Sequence, residues 1–185
     1  MSKLSTIARI LRVNHGGEHG AIRIYSTQIA IARVRCPELL PFLQETLSHE
    51  QEHVVRFRTL MPARSAKPCR LMWLWAVGGV ALGAVTSLLG ARSVLVCTEA
   101  VERTVHRHLE EQLCFVGERD AELASTIREV QEQELGHLAF AVAGRGEPTL
   151  FSKALDRIIV VVTEGLIWVS TRGDSAALHR QLKTS

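Results

Sequence analysis

The chain lacks several features that mark common protein classes. Its four cysteines, Cys36, Cys69, Cys97 and Cys114, are far apart and form no C-x-x-C pair, which excludes a zinc knuckle and a thioredoxin-like motif. No G-x-G-x-x-G follows a predicted strand, so neither a nicotinamide site nor a flavin site is expected. Scattered thiols of this kind are typical of reduced, mostly buried cysteines in an intracellular protein.

A strong excess of one charge is also absent. The 22 lysines and arginines and 19 aspartates and glutamates give a formal net charge of +3, which is too small to predict nucleic acid as the main partner. The N-terminal stretch MSKLSTIARILRVNHGGEHG has no uninterrupted apolar core, so a signal peptide and export are not expected. The exception is an uncharged stretch over residues 71–90, LMWLWAVGGVALGAVTSLLG, which on length alone is a transmembrane candidate.

Proline and glycine are sparse, and apolar residues recur at helical spacing through most of the 185 residues. This pattern and the length predict a single all-α domain over residues 1–185, ending in a polar tail over 173–185. The predicted helices cover residues 4–34, 38–60, 72–116, 119–143 and 151–171. Glycines at 78, 79, 83 and 90 are expected to bend or break the third of these helices.

The segment SHEQEHVVRF, residues 48–57, fits two different metal motifs. His49, Glu50 and His53 spell the H-E-x-x-H of zinc proteases, whereas Glu50 and His53 alone spell the E-x-x-H of carboxylate-bridged di-iron proteins. A second E-x-x-H, formed by Glu134 and His137, lies on a different predicted helix and favours the di-iron interpretation. A zinc protease would also need a third protein ligand and a cleft beside a strand, and the sequence shows no clear strand.

Two further glutamates complete a set of six candidate ligands, since a di-iron bundle takes one carboxylate from each of two more helices. The set is Glu18, Glu50, His53, Glu102, Glu134 and His137, and its second half repeats its first half at an offset of 84 residues. Glycines and apolar residues surround these positions, which favours burial over an exposed helix surface. Four carboxylates and two imidazoles suit two ferrous ions with open positions for dioxygen. His49 is then a residue of the helix surface or one that orients a ligand.

Five segments, in order and over nearly the whole chain, resemble the demethoxyubiquinone hydroxylase family of ubiquinone (coenzyme Q) biosynthesis. They are LRVNHGGEHGAIRIY, HEQEHVVRFRTLM, LWAVGGVALGAVTSLLG, CTEAVERTVHRHLEEQL and EQELGH. The resemblance implies a ferritin-like four-helix bundle with an extra C-terminal helix and an apolar segment at the membrane interface. It implies a di-iron monooxygenase that hydroxylates the ring of a polyprenylated demethoxyubiquinol or demethoxyubiquinone with dioxygen.

The resemblance also implies the roles of individual residues. The family's metal ligands fall on the six residues above, with Glu50 and Glu134 as bridges, and no catalytic side chain is expected beyond the metal centre. The chain departs from the family at GEHG, where His19 replaces a tyrosine, and at Leu109, which replaces the tyrosine of a His-Tyr pair whose histidine falls on His108. His108 is therefore either a residue that orients the site from behind the ligands or an ordinary packing histidine.

The implied substrate has an isoprenoid tail, so the implied enzyme must meet a membrane. A single crossing by residues 71–90 would separate the two halves of the metal site, so we expect this segment to lie in the membrane interface. Trp73 and Trp75 would then lie at the headgroup level, and Arg64, Lys67 and Arg70 would face anionic lipid. A buried core helix or a hydrophobic dimer seam is the alternative.

We therefore expect a peripheral membrane protein, on the cytoplasmic face of the inner membrane in a bacterium or the matrix face of the mitochondrial inner membrane in a eukaryote. The expected partners are the quinol substrate, dioxygen, the membrane surface and other ubiquinone-biosynthesis proteins, and homo-oligomerisation stays open. Reductant would arrive by diffusion or through the quinone itself. Two other functions remain: a ferritin-like iron-binding or peroxide-scavenging protein, and a non-enzymatic quinone-binding scaffold.

Overall fold

A computed structural model describes residues 3–172 of the chain, which contain six α-helices and no strand. The helices are α1 (Lys3–Arg35), α2 (Leu40–Leu60), α3 (Met72–Leu88), α4 (Ala91–Val116), α5 (Ala121–Gly144) and α6 (Leu150–Thr171). The all-α prediction is confirmed, and the bounds of four of the five predicted helices agree with the structure to within two residues. The predicted polar tail over residues 173–185 lies outside the described residues.

The predicted helix over residues 72–116 is two helices in the structure. The break is at Gly90, whose φ of 100° is a backbone conformation that residues with a Cβ rarely adopt. Gly78, Gly79 and Gly83 do not interrupt α3. Because the chain turns at Gly90, α3 packs mainly against α1, while α4 packs against α5.

The bundle formed by α1, α2, α4 and α5 has two hydrophobic clusters with a polar zone between them. One cluster contains Leu11 of α1, Phe57 of α2, Leu109 of α4 and Ile127 of α5. The other contains Tyr25 of α1, Leu43 of α2, Leu95 of α4 and Ala141 of α5. On each of the four helices, the candidate metal ligands lie between the residues of one cluster and those of the other. The fold therefore places the polar site between two apolar layers.

Glycines allow α3 to lie directly on the backbone of α1. A Cβ on Gly83 would be 2.6 Å from the backbone oxygen of Ile24, and a Cβ on Gly79 would overlap the backbone oxygen of Gly20. The expectation that Trp75 lies at the headgroup level is wrong. Trp75 is buried against Gly20, and its indole N–H donates a 2.9 Å hydrogen bond to Ser170 of α6.

The expectation that Arg64 faces lipid is also wrong. Its guanidinium donates to both carboxylate oxygens of Asp120, at 2.5 and 2.7 Å, and to Glu122 at 2.9 Å. Asp120 in turn caps α5 by accepting a hydrogen bond from the backbone N–H of Leu123. Arg64 therefore ties the end of α2 to the start of α5, whereas Lys67 and Arg70 are exposed.

Within residues 3–172, no helix combines the length and the apolar character that crossing a bilayer requires. Helices α3 and α6 nevertheless expose large apolar side chains. They are Trp73, Val77, Val80, Val85 and Leu88 on α3, and Ile158, Val161 and Trp168 on α6. The two helices contact each other through Trp75, Leu166 and Ile167. The exposed apolar side chains of α3 and α6 therefore belong to two helices that lie side by side.

The cysteines agree with the prediction of reduced and mostly buried thiols. Cys36, Cys69 and Cys97 are buried, Cys114 is exposed, and none of the four forms a disulfide. Burial raises the pKa of Cys97 to about 12, so this thiol stays protonated at neutral pH.

Candidate metal centre

The six candidate ligands meet in the middle of the bundle. Helix α1 supplies Glu18, α2 supplies Glu50 and His53, α4 supplies Glu102, and α5 supplies Glu134 and His137. Each of the six has at most 5% of its surface exposed. The three-residue spacing within each E-x-x-H directs the glutamate and the histidine to one face of their helix, and the structure brings all six side chains together.

The ligand atoms form two groups that share two residues. One group is Glu18, Glu50, His53 and Glu134, and the other is Glu50, Glu102, Glu134 and His137. Within each group, the ligand atoms all lie within 4.8 Å of one another. Glu50 and Glu134 belong to both groups, which places their carboxylates where they can bridge two ions.

Buried polar atoms without hydrogen-bond partners concentrate in this cluster. They are both carboxylate oxygens of Glu50, Oε2 of Glu134, Nδ1 of His53 and Nδ1 of His137. A buried polar atom without a partner costs about 1–3 kcal/mol, so native structures seldom keep several at one point. Carboxylate oxygens and imidazole nitrogens are good ligands for first-row transition metals. The residues present therefore fit a metal centre.

The acidic and basic groups of this cluster have strongly shifted pKa values. Burial and neighbouring carboxylates raise the pKa values of Glu50 and Glu102 well above their usual range. Burial alone would lower the pKa of His137, but the Glu102 and Glu134 carboxylates outweigh it and raise that pKa to about 10. At His53 burial is likewise outweighed, here by the carboxylates of Glu134, Glu18 and Glu50, which raise the pKa of that histidine. Metal binding must therefore displace protons from this cluster, as is usual for carboxylate and imidazole ligands.

Tyr25 holds one of the carboxylates in place. Its hydroxyl donates a 2.5 Å hydrogen bond to Oε1 of Glu102, and the side chain is only 1% exposed. Sequence reasoning missed this residue. Its position seven residues after Glu18, two helical turns along α1, placed it on the face of the helix that carries the ligand.

The second ring nitrogen of each candidate ligand histidine has a partner in the residue that precedes the opposite E-x-x-H motif. Nε2 of His53 lies 2.6 Å from Oε1 of Gln133, and Nε2 of His137 lies 2.9 Å from Nδ1 of His49. His49 belongs to neither group of converging ligand atoms. The zinc-protease arrangement, in which His49 and His53 would hold one ion, is therefore not formed.

A cavity of about 80 Å³ borders the carboxylates. Its lining includes Glu18, Glu50, Glu102 and Glu134 together with apolar residues of α3 and α6, among them Trp75, Leu82, Leu166 and Ile167. Two buried amides also line it, and sequence reasoning missed them. Asn14 and Gln112 exchange reciprocal hydrogen bonds of 2.7 and 2.9 Å between α1 and α4.

Among the positions that were compared with the resembled family, two line this cavity. His108 lines it, and Nε2 of His108 lies 3.2 Å from the Glu164 carboxylate of α6. Leu109 also lines it and packs in the hydrophobic core. His19 is half-buried next to Glu18 on α1. Of the two histidines considered as orienting residues, His49 contacts a candidate ligand, and His108 bonds to Glu164.

Residues 5–170 match the profile of the family described as ubiquinone biosynthesis protein COQ7. The 3-demethoxyubiquinol 3-hydroxylase of Rhodospirillum rubrum is 36% identical over 173 residues, which cover 92% of this chain and 80% of the relative. The mitochondrial NADPH-dependent 3-demethoxyubiquinone 3-hydroxylase of Dictyostelium discoideum is 33% identical over an alignment that covers 92% of this chain and 79% of the relative. The protein of the same name from Rattus norvegicus is 34% identical over an alignment that covers 91% of this chain and 78% of that relative.

Proposed function

The chain belongs to the COQ7 family of ubiquinone biosynthesis proteins, and we propose that it is a di-iron monooxygenase that hydroxylates the ring of a polyprenylated demethoxyubiquinol or demethoxyubiquinone with dioxygen. The observation that carries this proposal is the pair of buried ligand groups that share Glu50 and Glu134. The names of the relatives supply the substrate class, because they describe this ring hydroxylation.

Glu18 and His53 would bind one ferrous ion, Glu102 and His137 would bind the other, and Glu50 and Glu134 would bind both. Iron supplies the dioxygen and redox chemistry that amino-acid side chains lack. The balanced reaction replaces one ring C–H bond by C–OH. One atom of dioxygen enters the ring and the other leaves as water, while two protons are taken up. A diffusible reductant, NADPH in the names of two relatives, would supply the two electrons.

The cavity gives the ring a position beside the carboxylates. Its apolar lining from α3 and α6 excludes water, which strengthens polar interactions inside the cavity. After their reciprocal hydrogen bonds, Asn14 and Gln112 each keep one amide N–H and one carbonyl lone pair. We assign these groups to the oxygen atoms of the quinone ring, which they would orient towards the metal centre.

The exposed apolar side chains of α3 and α6 would form the membrane-contacting surface. Trp73 is 60% exposed on this surface, as an interfacial tryptophan would be, and Lys67 and Arg70 are exposed shortly before α3. Helices α3 and α6 also line the cavity. An isoprenoid tail leaving the cavity between them would therefore enter the lipid directly, and the protein would be peripheral.

The test is hydroxylation by the wild-type chain and by a Glu134→Ala variant. Each protein is purified anaerobically in detergent, its iron content is measured, and a demethoxyquinone, NADPH and dioxygen are added before mass analysis of the ring. The wild type should form the hydroxylated product, and Glu134→Ala should lose both iron and turnover. Glu132→Ala is the matched control, since Glu132 is exposed on the same helix.

Two further readouts on the same variants, peroxide consumption in vitro and biological activity in cells, separate the alternatives. Iron uptake with peroxide consumption and no ring product would indicate a scavenger. Biological activity that survives Glu134→Ala would indicate a scaffold, because a scaffold does not use the metal centre. Either result would contradict the proposed hydroxylase.

A further inference from the structure

We propose that the residue before each E-x-x-H motif orients the histidine of the other motif: His49, before the α2 motif, positions His137, and Gln133, before the α5 motif, positions His53. This inference rests on the proposed metal centre and concerns how its two halves are held. His49 and Gln133 act through the histidines as positioning residues and are not themselves ligands.

The contact at His53 fixes which ring nitrogen is available to a metal. A carbonyl oxygen only accepts hydrogen bonds, so Oε1 of Gln133, at 2.6 Å, requires the hydrogen to be on Nε2 of His53. In the neutral ring Nδ1 then carries the lone pair. This atom lies 3.3 Å from a carboxylate oxygen of Glu134 and 3.6 Å from one of Glu18, among the candidate ligand atoms.

The contact at His137 has the same form. Nδ1 of His137 lies 3.5 Å from Glu134 and 3.7 Å from Glu102, and it has no hydrogen-bond partner. When Nδ1 binds a metal, Nε2 carries the hydrogen and donates it to Nδ1 of His49, at 2.9 Å. The Phe42 and His137 rings also form a T-shaped contact, with centroids 6.4 Å apart and an interplanar angle of 81°. The imidazole is therefore fixed by a hydrogen bond and by a ring contact.

The sequence repeat extends to these two residues. His49 immediately precedes Glu50, Gln133 immediately precedes Glu134, and the two positions are 84 residues apart, like the ligands themselves. In each case the residue before the glutamate bonds to the histidine of the other motif, so the exchange crosses between α2 and α5. One acceptor is an imidazole and the other is an amide, which makes the two metal positions chemically unequal.

The first test removes one acceptor at a time. Ferrous iron affinity is measured anaerobically by competition with a chelator for the wild type, His49→Leu and Gln133→Leu. Loss of a partner that orients a ligand histidine typically costs about 10- to 100-fold in metal affinity. Each variant should therefore bind one ion about 10- to 100-fold more weakly and keep the other near its wild-type affinity. His49→Gln retains an acceptor and should restore most of the lost affinity.

The second test shows which histidine each residue serves. If His49 acts through His137, adding His49→Leu to His137→Ala should change iron affinity little, whereas adding it to His53→Ala should weaken the ion that remains. Gln133→Leu should give the reverse pattern. These readouts do not depend on hydroxylation.

The outcomes distinguish the inference from the proposed function. Failure of the wild type to bind iron would overturn both. Two bound ions in the wild type, with His49→Leu and Gln133→Leu unchanged, would overturn only the cross-positioning. Weakening of the remaining ion when His49→Leu is added to His137→Ala would also overturn it.

Discussion

Replacement of Gly79 by alanine should destabilise the protein, because α3 would be forced away from α1. The added Cβ would overlap the backbone oxygen of Gly20 and lie 2.8 Å from Cβ of Arg23. A helix backbone cannot rotate away as the end of a flexible side chain can. Overpacking of this kind costs about 1–3 kcal/mol, and the helix propensity of alanine offsets roughly 0.5–1 kcal/mol of it.

Relative to a glycine-to-alanine change that gains the same helix propensity without overpacking, the loss should be about 1–3 kcal/mol, which lowers the melting temperature of a chain of this size by about 2–12 °C. The assay is thermal unfolding of the metal-free protein in detergent, followed by far-ultraviolet circular dichroism. Gly165→Ala is the control, because a Cβ at this position of α6 meets nothing within 4 Å. A Gly79→Ala protein that melts at or above the temperature of Gly165→Ala would refute the close contact between α3 and α1.

Three further predictions concern other contacts. The hydrogen bonds from Arg64 lower the pKa of Asp120 in the folded protein. The pair therefore adds stability that is fully present above the pKa of Asp120 in the unfolded chain, about 3.8, and that is lost as the pH falls through the lower pKa of the folded protein. Asp120→Asn should reduce this acid dependence but keep the helix cap. In urea unfolding, Asp120→Ala should be about 0.5–2 kcal/mol less stable than Asp120→Asn, because alanine cannot cap α5. Equal stabilities of the two variants would contradict the capping role. Asn14→Leu should raise the KM for the quinone about 3- to 10-fold with little change in iron content, and an unchanged KM would exclude a role in binding the ring. Val77→Asp should weaken binding of the protein to anionic vesicles about tenfold or more. The control is Val55→Asp, which changes an equally exposed residue of α2 and should leave vesicle binding unchanged. Equal effects of the two substitutions would argue against α3 as the membrane-contacting surface.

The helices and the candidate ligands were predictable because both depend on local spacing. The E-x-x-H spacing, repeated with Glu18 and Glu102 at a fixed offset, gathers the six side chains in any bundle that pairs the two halves. Four glycines were predicted as places where the third helix could bend or break. In the structure the break is at Gly90, the one of the four with a positive φ. Spacing alone does not separate Gly90 from glycines that a helix tolerates.

The failed predictions concern which side of a helix is covered. Residues 71–90 are apolar on every face, so hydropathy did not distinguish Trp73, which is exposed, from Trp75, which fills the space above Gly20. Arg64 was expected to face lipid because it is a basic residue shortly before the apolar segment, and its carboxylate partner, Asp120, is 56 residues away in sequence. Contacts of this kind depend on tertiary packing, and a single sequence does not display them.

The sequence relates the positions of His49 and Gln133 to each other, but this pairing was not predicted. The offset of 84 residues that relates the ligands also relates these two positions. Extending the repeat by one residue on the N-terminal side of each motif would have paired them, but only the structure shows that each contacts the histidine of the opposite helix.

The most direct test of the central claim is a single turnover with isotopically heavy dioxygen. The anaerobic protein is loaded with ferrous iron, mixed with a demethoxyquinol and exposed to the labelled gas, and the product is analysed by mass. The proposed function predicts about two irons per chain and one heavy oxygen atom in the new ring hydroxyl. A ring oxygen derived from water, or a product formed equally well by the iron-free protein, would contradict it.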